Sequence, residues 1–150
     1  MITSEWEMKE IAEIEADVKD SLKNDGYALA PVRRGIMIET PAAAVLSDRL
    51  SEYADFFSIG TNDLAQYVLA VDRKNYALER YYNPRHEAIM RLIAATIGNA
   101  HKKGIPVSVC GELAADTDVT EQLIALGVDE LSVSPSLLTE VRQAIRESNV

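Results

Sequence analysis

The chain has 150 residues, of which 47% are hydrophobic and 26% charged, enough for one domain with a sizeable core. A formal net charge of −9 argues against a nucleic-acid surface, which needs a basic stripe to displace counterions, and no apolar run approaches the ~20 residues of a membrane span. Cys110 is the one cysteine, so no internal disulfide can form, and a reducing, cytoplasmic setting is expected.

The acidic N-terminus does not read as a secretory signal. Residues 3–25 are predicted as a helix. Ser4 and Glu7 have capping-box spacing, Ile11, Ile14, Val18 and Leu22 recur at helical intervals, and Gly26 ends the run. Residues 27–34 read as a loop, after which strand and helix alternate. A strand over 35–39 ends in Glu39. Thr40 as cap and Pro41 at the first helical position open a helix reaching Tyr53. A strand over 55–60 runs into Thr61-Asn62-Asp63, which starts a helix reaching Val71. A loop over 72–84 leads to a long helix over 85–103. The third strand, 105–110, ends in Cys110, and a helix over 117–126 follows. The fourth strand, 131–133, precedes a final helix over 135–148.

Apolar strands alternating with helices predict an α/β fold with a parallel sheet, either doubly wound or a (β/α) barrel. Four strand–helix units make about half of an eight-fold barrel. In both architectures ligands bind at the carboxyl ends of the strands. Four polar groups fall there: Glu39, the Asn62–Asp63 pair, Cys110 with Glu112, and Ser132 with Ser134.

Glu39 and Asp63 are hard oxygen donors on neighbouring strand ends, the kind magnesium takes. Glu39 alone also reads as a solvated acid at a strand end. Asn62 and Thr61 read equally as helix caps, and Gly60 as a residue allowing a sharp backbone turn. Cys110 has the alternative of a small buried apolar residue. With Glu112 adjacent and an acidic field, a proton-donating thiol suits it better than a nucleophile. Arg73 reads as a phosphate fork or as a surface arginine paired with Asp72. His86 and His101 have no catalytic context.

Three stretches, 35–43, 55–64 and 110–112, closely resemble the phosphoenolpyruvate-utilising enzymes. The run 66–73, with Tyr82-Asn83-Pro84 and 127–134, is similar to the enzyme I branch, from the bacterial sugar phosphotransferase system. The resemblance covers nearly the whole chain. It implies the second half of a (β/α) TIM barrel: a crossover helix and loop over 1–30 and four βα units over 31–150.

It also implies Mg2+ as cofactor, with Glu39 and Asp63 as its ligands. Asn62, Asp63 and Arg73 would bind phosphoenolpyruvate, and Cys110 would protonate the enolate carbon as pyruvate forms. The phosphoryl group would pass to a histidine on an N-terminal domain and on to a histidine phosphocarrier protein. The motif carrying that histidine is absent here, as is the first half-barrel, and Ala115 stands where many relatives have glycine. The expectations are therefore a fragment of a longer phosphotransferase, inactive alone, and a homodimer. Two alternatives are a pyruvate phosphate dikinase or phosphoenolpyruvate synthase type of paralogue, and a non-catalytic oligomerisation module.

Overall fold

A computed structural model describes all of residues 1–150. Four strands, β1 (Gly35–Ile38), β2 (Phe56–Gly60), β3 (Val107–Cys110) and β4 (Glu130–Leu131), form one parallel sheet in the order β1-β2-β3-β4. Eight helices accompany them: α1 (Glu5–Asn24), α2 (Pro41–Val45), α3 (Ser47–Leu50), α4 (Thr61–Leu69), α5 (Glu87–Lys102), α6 (Glu112–Ala115), α7 (Thr120–Ala125) and α8 (Leu138–Glu147).

Burial alternates along the strands. Ile36, Ile38, Phe57, Ile59, Val107 and Val109 are buried, while Met37, Ser58, Ser108 and Cys110 between them are not. Only one face of the sheet is therefore covered by helices. A doubly wound sheet buries both faces, so the sequential strand order and one-sided cover decide for a partial barrel. The buried face packs with Ala43, Ala44 and Leu50, with Leu64 and Ala65 of α4, and with Ile89, Ile93 and Ile97 of α5, all parts of one core.

Local chemistry explains most element ends. The Ser4–Glu7 capping box is formed, and Gly26 adopts φ +88. Thr40 caps α2, accepting from Ala43 N–H at 3.1 Å, with Pro41 in the first turn. The helix predicted to run on to Tyr53 is instead broken at Leu46, giving α2, α3 and a 3-10 turn over Ser51–Tyr53. Ser47 and Ser51 donate their hydroxyls to the carbonyls of Ala44 and Asp48, at 2.8 and 2.7 Å. Such local side-chain bonds compete with a continuous α-helical ladder. Residues 76–81, expected as loop, form a 3-10 helix capped by Asn75. The helix expected over 117–126 starts as a 3-10 turn, and the short α6 before it was not foreseen.

The apolar stripe of α1 does not enter the core. Met8 is its one buried residue, while Ile14 and Val18 are 62% and 52% exposed. No helix is long and apolar enough to cross a membrane.

At the N-terminal end of the sheet, Asp129 ties α5 to β3. One carboxylate oxygen accepts from Val107 N–H at 2.8 Å and meets His101 Nε2 at 2.9 Å. Burial alone would raise the Asp129 pKa, but the His101 and Val107 hydrogen bonds outweigh it and hold it below 3.8. A carboxyl lowered on folding adds stability above its unfolded value and loses it as pH falls through the folded value. Asp129→Ala should therefore cost about 1 kcal/mol at neutral pH, the scale of a half-exposed charged hydrogen bond. Urea unfolding should show the gap to wild type closing under acid, and a gap constant with pH would contradict this.

Candidate functional site

The carboxyl ends of β1, β2 and β3 lie side by side. Ile38 pairs with Ile59, and Gly60 with Cys110. Residues one step beyond each end therefore converge, and the structure brings Glu39, Asn62, Asp63, Arg73 and Cys110 to this one end of the sheet.

The junction between β2–α4 and β3–α6 is held by direct bonds. Thr61 is fully buried and donates its hydroxyl to the Cys110 carbonyl at 2.7 Å. Asn62 Oδ1 accepts from Glu112 N–H at 2.9 Å. Gly111 permits this approach. It adopts φ +89, and a Cβ there would lie 2.6 Å from Thr61 Oγ1 and 2.8 Å from Asn62 Oδ1. Neither Thr61 nor Asn62 caps its own helix, since the N-cap of α4 is Gly60, which has no side chain to give. Asn62 instead receives the backbone opening α6. Its amide oxygen is spent on Glu112, so its NH2 remains to donate to a ligand.

Gly60 has a different reason from the turn expected of it. Its φ of −82 is open to any residue. Space is what it supplies, because a Cβ would lie 3.0 Å from Glu39 Cβ and 3.1 Å from Met37 Sδ. The Glu39 side chain thus lies across the end of β2, toward Asp63.

The two carboxyls interact. Burial pushes the Glu39 pKa above 4.5, and the Asp63 charge and a hydrogen bond shared with Asp63 push it further, against the N-terminal ammonium. Opposite, Arg73 Nη2 lies 3.7 Å from Asp63 Oδ1. The end of α4 carries Arg73 back to this point. Ala70 turns into the left-handed region at φ +53, Val71 N–H bonds Gln66 O at 3.1 Å, and Arg73 N–H bonds Gln66 Oε1 at 3.2 Å. Asp72 does not pair with Arg73; its carboxylate accepts from Lys74 N–H at 2.9 Å. Two oxygen donors that repel each other suit a hard divalent cation. No third His, Cys, Asp or Glu joins them, so water or substrate oxygens would complete the shell.

Cys110 is half-buried, not the sealed apolar residue of the alternative reading. Its sulfur lies 3.4 Å from the Ile59 carbonyl, 3.7 Å from Ser58 Oγ and 3.8 Å from Met37 Sδ. None of these is a cation that would favour a standing thiolate.

Three neighbours were given no role in the site from the sequence. Met37 and Ser58 stand two residues before Glu39 and Gly60, so the period-2 alternation of strands puts them on the same face. Tyr82 reaches the site from the loop after α4 and donates its hydroxyl to Asn62 O at 3.3 Å. Burial raises its pKa, and Glu112 and Asp63 add to this while Arg73 opposes it. No local periodicity marks it. His86 caps α5, accepting from Ala88 N–H, and His101 is bound to Asp129, so both histidines act structurally. A groove of about 310 Å3 lined by Arg33, Phe56, Pro106 and Glu130 lies at the opposite end of the strands and holds no converging reactive groups.

The sequence pattern of the family described as "PEP-utilising enzyme, PEP-binding domain" matches residues 1–150. Similar proteins include the phosphoenolpyruvate-protein phosphotransferase of Haloferax volcanii, 44% identical over 88% of this chain and 23% of the relative. That of Listeria monocytogenes is 42% identical over 97% of this chain and 26% of the relative. That of Haemophilus influenzae is 40% identical over 99% and 26%. The chain spans about a quarter of the length of these relatives.

Ionised Glu39 should cost the metal-free chain stability. A carboxyl raised on folding contributes stability in full below its unfolded value near 4.5, and that contribution is lost as pH rises through the folded value. Glu39→Gln should therefore unfold at higher urea than wild type at neutral pH, with the advantage vanishing below about pH 4. Equal midpoints at neutral pH would contradict the packing of Glu39 against Asp63.

Proposed function

Because the chain belongs to the PEP-utilising enzyme, PEP-binding domain family, we propose that it is the phosphoenolpyruvate-binding part of a phosphoenolpyruvate-protein phosphotransferase. The observation that carries this is the convergence of an acid pair, an arginine and a thiol on one end of the sheet. Each supplies something that phosphoryl transfer from an enol phosphate requires.

Glu39 and Asp63 would hold Mg2+, their mutual repulsion being relieved by the cation. Bound Mg2+ neutralises charge on the phosphoryl oxygens. Arg73 would exchange its contact with Asp63 for the phosphate, to which its planar fork is matched. The Asn62 amide, fixed by Glu112 N–H, would donate to a phosphoryl oxygen. As the phosphoryl group leaves to a histidine on another domain, the S–H bond of Cys110 breaks and a C–H bond forms at the enolate methylene, giving pyruvate. Acid chemistry suits this sulfur because its polar neighbours are a carbonyl, a hydroxyl and a thioether.

The wider role is a PEP-dependent, kinase-type transferase acting in the cytoplasm. It would feed phosphoryl groups through a histidine phosphocarrier protein to sugar transport. Homodimerisation belongs to the same reading.

In the full-length enzyme carrying this domain, Cys110→Ala should lower pyruvate formation by about 10²–10⁴-fold, the usual contribution of a general acid. Binding of phosphoenolpyruvate with Mg2+, read by calorimetry, should stay within a few-fold of wild type. Turnover near the wild-type rate would remove Cys110 from the acid role. Loss of binding together with turnover would make it a substrate contact instead.

A further inference from the structure

Arg73 lies in the long connection between α4 and α5, and that connection is tied back to α4 at two places. At its start, Val71 N–H bonds Gln66 O at 3.1 Å and Arg73 N–H bonds Gln66 Oε1 at 3.2 Å. Near its end, the Tyr82 hydroxyl donates to Asn62 O at 3.3 Å. Asn62 and Gln66 are four residues apart, so they lie one above the other on one face of α4. A helical carbonyl keeps a second lone pair beyond the one its helix uses, which lets Asn62 O take this bond. From Lys74 to Tyr81 the connection bonds only to itself: Asn75 N–H reaches Asp72 O at 3.0 Å, and Leu78 N–H reaches Asn75 O at 2.9 Å. Every residue of that stretch except Leu78 is exposed. Tyr82 differs, because its ring packs against the core.

We propose that Tyr82 is a positioning residue for Arg73, its hydroxyl closing the connection into a loop over α4 that keeps the guanidinium at the Asp63 end of the site. The proposal rests on the phosphate-binding role of Arg73. A long side chain on an exposed connection sweeps a wide volume, and fixing it on binding costs freedom. With both ends of the connection tied to one helix face, the Arg73 backbone has little room, and part of that cost is met before the ligand arrives. The Arg73–Asp63 contact, 3.7 Å between partly exposed groups, is too weak to do this alone. Tyr82 bonds the backbone of Asn62 and not its amide, so the Asn62 NH2 stays free for a ligand.

Tyr82→Phe removes the hydroxyl and keeps the ring that packs on the core. In the chain as it stands, the Arg73 amide should exchange its hydrogen about two- to tenfold faster in the variant, the effect of one neutral hydrogen bond on local opening. The amides of Phe57 and Ile93, both in the core, should keep their wild-type rates. In the full-length enzyme carrying this domain, KM for phosphoenolpyruvate should rise by a similar factor with kcat within about twofold of wild type, the mark of binding lost equally in ground and transition states. In an Arg73→Met background, Tyr82→Phe should raise KM no further, because the side chain it positions is gone. An unchanged Arg73 exchange rate, equal acceleration at Phe57 and Ile93, an unchanged KM, or the same rise in both backgrounds would overturn the proposal. The exchange rates involve no phosphoenolpyruvate, so an Arg73→Met enzyme with wild-type KM would sink the phosphate role of Arg73 and leave the exchange result standing.

Discussion

The short bond from the Thr61 hydroxyl to the Cys110 carbonyl sets the geometry on which the site depends. It draws the first turn of α4 onto the end of β3, and Gly111 alone leaves room for that. With the junction closed, Asn62 receives Glu112 N–H, Asp63 is turned toward Glu39, and Cys110 comes beside Ser58 and Met37. The buried Thr61 hydroxyl is also cheap to keep in this bond, since it would cost more unpaired. Scaffold and site are therefore fixed by the same contact.

The acid pair works against the fold, and the surroundings only partly relieve it. Glu39 and Asp63 share space that disfavours two full negative charges, and Arg73 sits 3.7 Å from one of them. A half-exposed ion pair of that length contributes little. The remaining repulsion is what a divalent cation would relieve in the proposed function. Departures from the most stable sequence at a few strand-end positions are what functional sites ordinarily show. The same sequence keeps Ile38 and Ile59 fully buried directly beneath.

Much of this was legible in the sequence, for physical reasons. The Ser4–Glu7 box, Thr40-Pro41 and the glycine after α1 are local signals, and each appears where expected. The apolar strands placed Glu39, Asp63 and Cys110 at one end because parallel strands carry their loops there. Less legible were the features set by tertiary contact. The break at Leu46 comes from serines bonding back to the preceding turn, which composition does not reveal. Tyr82 joins the site through a loop whose path is fixed by Arg85 binding Asp116 and Asp118 across the surface, at 2.6 and 3.0 Å. Helical periodicity in α1 gave the helix but not the exposure of Ile14 and Val18, since periodicity states which residues share a face and not what lies against it.

The central claim is that Glu39 and Asp63 form a specific divalent-cation site rather than one acidic patch among many. Mn2+ in place of Mg2+ tests it most directly, because its paramagnetism broadens the NMR signals of nearby nuclei. At low Mn2+, the amides of Glu39, Gly60, Asn62 and Asp63 should broaden first, and Glu39→Ala should abolish that selectivity. Broadening that begins instead along the acidic surface of α1, around Glu10, Glu13 and Asp17, and is indifferent to Glu39→Ala would contradict the account.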